Sequence, residues 1–163
     1  MRRRKFLTTG LATGIVASTT ACGRRDPWRF FTADEAATLE ALCACIIPED
    51  QDPGATRAGV VSFIDTQLAG FYKPLRKVYR EGISAVDQES GGRFLDLPPA
   101  KRIELLQSIE RNPTLKPFFD LLVAHTMQGF YGDPRHGGNR DRASWKMLGL
   151  PYPPLRGRGK DSA

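Results

Sequence analysis

Lys116-Pro117-Phe118-Phe119-Asp120-Leu121-Leu122-Val123-Ala124-His125-Thr126-Met127 decides the fold. Phe118, Leu121, Leu122 and His125 recur at i, i+3, i+4 and i+7, with Phe119, Val123 and Met127 beside them, which is the period of a helix. An apolar arc this wide has to be covered by other elements, so the segment is expected as the central helix of a bundle.

The segments around it repeat the helical period. Thr32-Ala33-Asp34-Glu35 has the form of a capping box, in which the Thr32 oxygen accepts from the Glu35 backbone and the Glu35 side chain reaches back. Ala36, Leu39, Leu42, Cys43 and Ile46 follow at helical spacing until Pro48 stops the run. Glu49-Asp50-Gln51-Asp52-Pro53-Gly54 is dense in carboxylates, but it lacks the ligand order of a calcium loop with its later bidentate Glu and reads as a solvated turn. Val60, Phe63, Ile64, Leu68 and Phe71 form a second apolar stripe, and Leu75, Val78, Tyr79, Ile83 and Val86 a third. Gly91-Gly92 breaks the chain, and Asp96-Leu97-Pro98-Pro99 opens a helix with its prolines at the first turn, where a missing N–H costs least. In that helix Ile103, Leu106 and Ile109 are expected to face inward, and Asn112-Pro113 ends it. A last short helix is expected from about Asp141 through Trp145 to Leu148, with Gly149 at its C-terminal position and Pro151 preventing continuation. Almost no strand pattern is found. The expected fold is all-α, an irregular bundle of about six helices in one domain over residues 28–155, followed by a basic, disordered tail over 156–163.

Residues 1–21 read as an export leader. Arg3 and Arg4, one spacer, then Phe6 and Leu7 follow in the order of a twin-arginine signal, an address for a pathway that moves already folded proteins. The other reading of Arg2 to Lys5 is the basic start of an ordinary secretory leader. Phe6 to Ala21 is diluted by Gly10, Gly14 and several threonines and serines, short of the ~20 apolar residues of a spanning helix. Cleavage is expected after Ala17, after Ala21 or nearby, and Ser18-Thr19-Thr20-Ala21-Cys22 hints at a lipid-attachment cysteine, although Thr19 stands where a large aliphatic residue is usual.

Taking the leader away changes the charge argument. The chain has 24 Lys and Arg against 18 Asp and Glu; without Arg2, Arg3, Arg4 and Lys5 the balance is 20 against 18, close to neutral. The basic composition is therefore poor evidence for a nucleic-acid partner. Arg156-Gly157-Arg158-Gly159-Lys160 stays basic, but it has no aromatic residues on which bases could stack and reads as a solvated end, so no nucleic acid is expected among the partners.

Parts for chemistry are scarce. The chain has no glycine-rich dinucleotide fingerprint, phosphate loop, haem-attachment motif or nucleophile elbow. His125 and His136 are its two histidines, too few for a multi-histidine metal site. His125, on an apolar helix face, is expected to be buried and hydrogen-bonded to a backbone carbonyl or a carboxylate. Cys43 and Cys45 at i, i+2 point to different sides of a helix and read as small apolar side chains, with pairing to Cys22 or to another protein left open in an oxidising compartment.

One segment is unlike the rest. Gly129-Phe130-Tyr131-Gly132-Asp133-Pro134-Arg135-His136-Gly137-Gly138-Asn139 reads as a loop, with glycines that permit close backbone approach, an Asp-Pro turn signal and two aromatic residues. It is either a binding surface or a reversal folded back on the bundle, with Phe130 and Trp145 in the core.

The leader, Phe31-Thr32-Ala33-Asp34-Glu35, Ile46-Ile47-Pro48, Ala58-Gly59-Val60-Val61-Ser62-Phe63-Ile64-Asp65, Thr126 to Pro134, Gly137-Gly138-Asn139 and Trp145 to Pro151 together resemble the gluconate 2-dehydrogenase subunit 3 family. The resemblance covers most of the chain after the leader, and the loop and the Trp-to-Pro end are its most specific parts. It implies a small, non-catalytic subunit of a periplasmic, membrane-associated dehydrogenase acting on sugars, polyols or sugar acids. FAD is then expected in a large subunit and haem c in a membrane-bound c-type cytochrome subunit, with no catalytic, cofactor-binding or metal-ligating residue in this chain. It further implies that this chain carries the large subunit, loaded with its flavin, to the twin-arginine translocase and supports its folding. The expected partner surface is Gly129, Phe130, Tyr131, Asp133, Pro134, Gly137, Gly138, Asn139 and Trp145. Two other readings stand beside this one: a free-standing exported helical domain or lipoprotein, and an enzyme or metal-binding protein using His125, His136, Asp133 and Cys43.

Overall fold

The computed structural model describes residues 28–150. Arg3, Arg4, Phe6 and Leu7 of the expected leader, the lipidation candidate Cys22, Pro151 and the tail 156–163 lie outside the described residues. Six α-helices follow in order: α1 (Ala33–Ile46), α2 (Val60–Ala69), α3 (Arg76–Glu89), α4 (Pro99–Arg111), α5 (Lys116–Tyr131) and α6 (Ala143–Met147). Short 3-10 turns join them at Lys73–Leu75, Phe94–Asp96, Pro134–His136 and Arg140–Arg142, and no strand occurs among the described residues. None of the described helices is long and apolar enough to cross a membrane.

α5 is central as expected: α1, α2, α3, α4 and α6 all pack against it. Leu39 and Leu42 of α1, Val60, Ile64 and Leu68 of α2, Tyr79 and Val86 of α3 and Leu122 of α5 are fully enclosed. Burial on this scale contributes about 1.5–3 kcal/mol per large side chain and holds together a chain whose surface ion pairs add little. α1 begins at the capping box read from the sequence, with Thr32 Oγ1 accepting from Glu35 N at 3.2 Å and Glu35 Oε2 accepting from Thr32 N at 2.8 Å.

Three details depart from the periodic reading. α2 stops at Ala69, so Phe71 falls in the following turn and is 85% exposed, while Tyr72 turns its ring toward the bundle in its place. Ile103 is 48% exposed, because it lines an open apolar groove with Cys45, Ile46, Leu106, Phe119 and Val123 and no described element covers it. α5 runs on through Gly129, Phe130 and Tyr131, which the sequence placed in a loop. The reason is steric. A Cβ on Gly129 would stand 3.1 Å from Phe63 Cδ1 and 3.2 Å from Val60 Cγ1, so this glycine serves close packing of α5 on α2 rather than a turn.

A buried carboxylate anchors the start of the domain. Asp65 on α2 is 3% exposed, and its Oδ2 accepts from Arg29 N at 2.8 Å while Oδ1 accepts from Phe30 N at 2.9 Å and Phe31 N at 3.1 Å. Three successive amides thus close around one anion, which replaces the water it gave up on burial. Phe30 next to them is faced by the guanidinium groups of Arg76 and Arg80, 4.9 and 4.8 Å from its ring centre.

Candidate partner surface and the buried polar cluster

The segment after α5 is built on one asparagine. Asn139 is fully buried and sits in the left-handed region at φ 43°. Its backbone N donates to Gly129 O at 2.8 Å, its Nδ2 donates to Gly132 O at 2.9 Å, and its Oδ1 accepts from Ser144 N at 3.0 Å. One residue therefore ties the end of α5, the loop and the start of α6 together. Gly138 lies directly against the Gly129 carbonyl, where a Cβ would collide with backbone that cannot move aside.

On this support the sequence-predicted residues divide into two groups. Phe130, Gly138 and Asn139 are buried and hold the segment in place. Tyr131 is 39% exposed, Trp145 is half-buried, and Gly137 is exposed, while Gly132, Asp133 and Pro134 are half-buried. Trp145 Nε1 donates to Tyr131 O at 2.9 Å, which places the indole beside the last turn of α5. Asp133 caps the 3-10 turn by accepting from Arg135 N at 2.9 Å, and its Oδ2 takes Arg135 Nη2 at 2.6 Å. The Arg135 contacts hold the Asp133 carboxyl below its ordinary pKa. The segment thus folds back on the bundle through Phe130 and Asn139, with Trp145 half-buried rather than in the core and Tyr131 partly exposed.

A second polar cluster lies inside. Tyr79 Oη and His125 Nδ1 are 2.8 Å apart in the core, and the Tyr72 ring stacks on the imidazole at 4.5 Å between centres and 5° between planes. The expected carbonyl or carboxylate partner of His125 is a phenol instead, a pairing across 46 residues that helical spacing does not reveal. Thr126 Oγ1 donates to Cys43 Sγ at 3.3 Å. Burial pushes the Cys43 thiol up to about 12 and raises the Tyr79 phenol well above its usual value, so both stay neutral at pH 7. Cys45 is half-buried, and both cysteines are free thiols. His125 and Cys43 are buried here, whereas His136 is exposed and Asp133 is held by Arg135 in the segment after α5. Among the described residues no group of three or more His, Cys, Asp and Glu is placed to hold a metal ion.

Burial also lowers the His125 pKa. The unfolded chain then takes up a proton that the folded chain resists, so this contribution to stability is complete above about pH 6.5 and is lost as pH falls below it. Unfolding free energy from urea titrations is expected to drop between about pH 7 and about pH 5, and His125→Gln is expected to flatten that drop. An equally steep drop in the variant would place the dependence elsewhere.

A family model described as Gluconate 2-dehydrogenase subunit 3 matches residues 33–151, from the first residue of α1 to just past α6. No curated protein and no solved structure matches the chain.

Proposed function

Because this chain belongs to the gluconate 2-dehydrogenase subunit 3 family, we propose that it is the non-catalytic small subunit of a periplasmic, FAD-dependent dehydrogenase of sugars, polyols or sugar acids. Membership itself implies a partner in a dehydrogenase complex. In the proposed role the chain escorts the flavin-bearing large subunit through twin-arginine export and supports its fold, and a membrane-bound c-type cytochrome takes the electrons.

The observation that carries this reading is the division of the chain. The family match spans the helical domain, and Arg3-Arg4 with Phe6 and Leu7 stand before it as an address read by a receptor. A flavoprotein that acquires FAD before export is stabilised by it and has to cross folded, which a twin-arginine address on an associated chain allows. The buried polar groups support a structural role, since Tyr79 pairs with His125 and Thr126 with Cys43 inside the bundle.

Replacing Arg3-Arg4 by Lys-Lys is expected to leave both this chain and a flavoprotein in the cytoplasm, read by fractionation and by flavin absorbance of material captured on the tagged chain. Normal export of both would refute the escort role. A colourless, partnerless protein recovered from the envelope fraction would favour the free-standing helical domain.

A further inference from the structure

An open cleft of about 580 Å³ lies between the turn after α1 and the segment that leads into and through α6. Arg57, Arg140, Arg142 and Lys146 line it, with Asp52 and Asp141 as its acidic residues. The Arg57 charge is shared with Glu49 at 3.8 Å, an exposed pair that contributes little. Among the described residues Arg140 and Lys146 have no carboxylate at ion-pair distance.

The wall carrying these cations is constructed rather than frayed. Asn139, Asp141 and Arg142 have φ of 43°, 56° and 59°, a conformation that asparagine and aspartate tolerate but that costs an arginine roughly 1–2 kcal/mol. Strain of this kind persists only where the surroundings impose it. Here they do: Arg140 N donates to Ala58 O at 2.9 Å, Arg142 N donates to Asn139 O at 2.8 Å, and Asn139 holds Ser144. The Arg140 guanidinium lies on Gly59, where a Cβ would come within 3.1 Å of Nη2. Fixed backbone thus gathers positive side chains whose mutual repulsion would spread them on a flexible segment.

We propose that this cleft receives a carboxylate-bearing surface segment of the large dehydrogenase subunit, an inference that rests on the subunit reading above. Charge complementarity selects the occupant, because guanidinium forks match carboxylates in bidentate geometry and a cleft this open suits a protruding loop. Met147 of the lining supplies apolar contact, while the cations set orientation and encounter rate.

The test uses the full-length chain immobilised, with the FAD-loaded large subunit from its own envelope fraction as the probe. Arg140→Glu with Lys146→Glu is expected to weaken binding at least tenfold at low salt and to flatten the dependence of affinity on salt. Since Arg140 packs on Gly59, a second variant, Arg57→Glu with Lys146→Glu, changes exposed side chains alone and is expected to act in the same direction; circular dichroism confirms that both fold. Unchanged affinity and salt dependence in both folded variants would overturn the cleft proposal and leave the subunit reading standing. A wild-type chain with no affinity for any flavoprotein would overturn both. Binding to phosphatidylglycerol vesicles that the variants lose, with subunit binding intact, would overturn it in favour of a membrane surface.

Discussion

Asp65→Ala is expected to destabilise the domain by about 3–5 kcal/mol, the range for removing one member of a buried charged interaction. The substitution takes away the acceptor of three consecutive amides, Arg29 N, Phe30 N and Phe31 N, and leaves the buried Phe31 N without a partner. Loss of the anchor also frees Phe31, 3% exposed, to leave the core. Asp65→Asn separates the contributions, because the amide keeps one oxygen acceptor and presents an NH2 to donors that need an acceptor. Its cost is expected to approach that of alanine rather than to fall midway. Urea titration of each variant measures this, and a loss under about 1 kcal/mol in Asp65→Ala would show that the amides find water instead.

Asn139→Ala is expected to cost about 3–7 kcal/mol from two sources that can be told apart. Gly132 O, half-buried, and Ser144 N, buried, lose their partner at about 1–3 kcal/mol each, and an alanine at φ 43° adds roughly 1 kcal/mol. Asn139→Gly removes the backbone penalty and keeps the lost hydrogen bonds, so it is expected to be less damaging than alanine by about that last amount. Trp145 reports the local consequence, since its indole donates to Tyr131 O on the same support. Its fluorescence is expected to shift toward a more solvated environment before the bundle unfolds. A single coincident transition in both variants would mean that α6 and α5 melt as one unit.

The helices were readable because each has a stripe of the right period and a marked end: Thr32 and Glu35 at the start of α1, Pro48 beyond it, and Pro98-Pro99 at the start of α4. Single positions were less readable. Phe71 fits the α2 stripe in register, but the helix had already ended at Ala69. Gly129 carries the mark of a loop, yet its bare backbone answers a neighbouring helix that only the tertiary structure brings near. Asp65 stood among apolar residues without a sign of its role, because its partners are backbone amides more than 30 positions away. Nor does sequence announce that Asn139, Asp141 and Arg142 share a left-handed conformation. Asparagine and aspartate tolerate it, but arginine adopts it only where its surroundings require it.

The ten-residue helix α2 is where these features meet. Asp65 grips the entering backbone, Phe63 and Val60 seat Gly129, Ser62 O lies 3.3 Å from where a Cβ on Gly137 would be, and Ala58 just before the helix receives Arg140 N. The two ends of the described chain are thus mounted on one short post, although more than 100 residues separate them. Amide hydrogens at Phe31 and Asn139 should then exchange with a common opening free energy, as members of one cooperative unit. A disturbance of the segment around Arg29 should then be felt at Asn139, so the two termini of the helical domain are mechanically one variable.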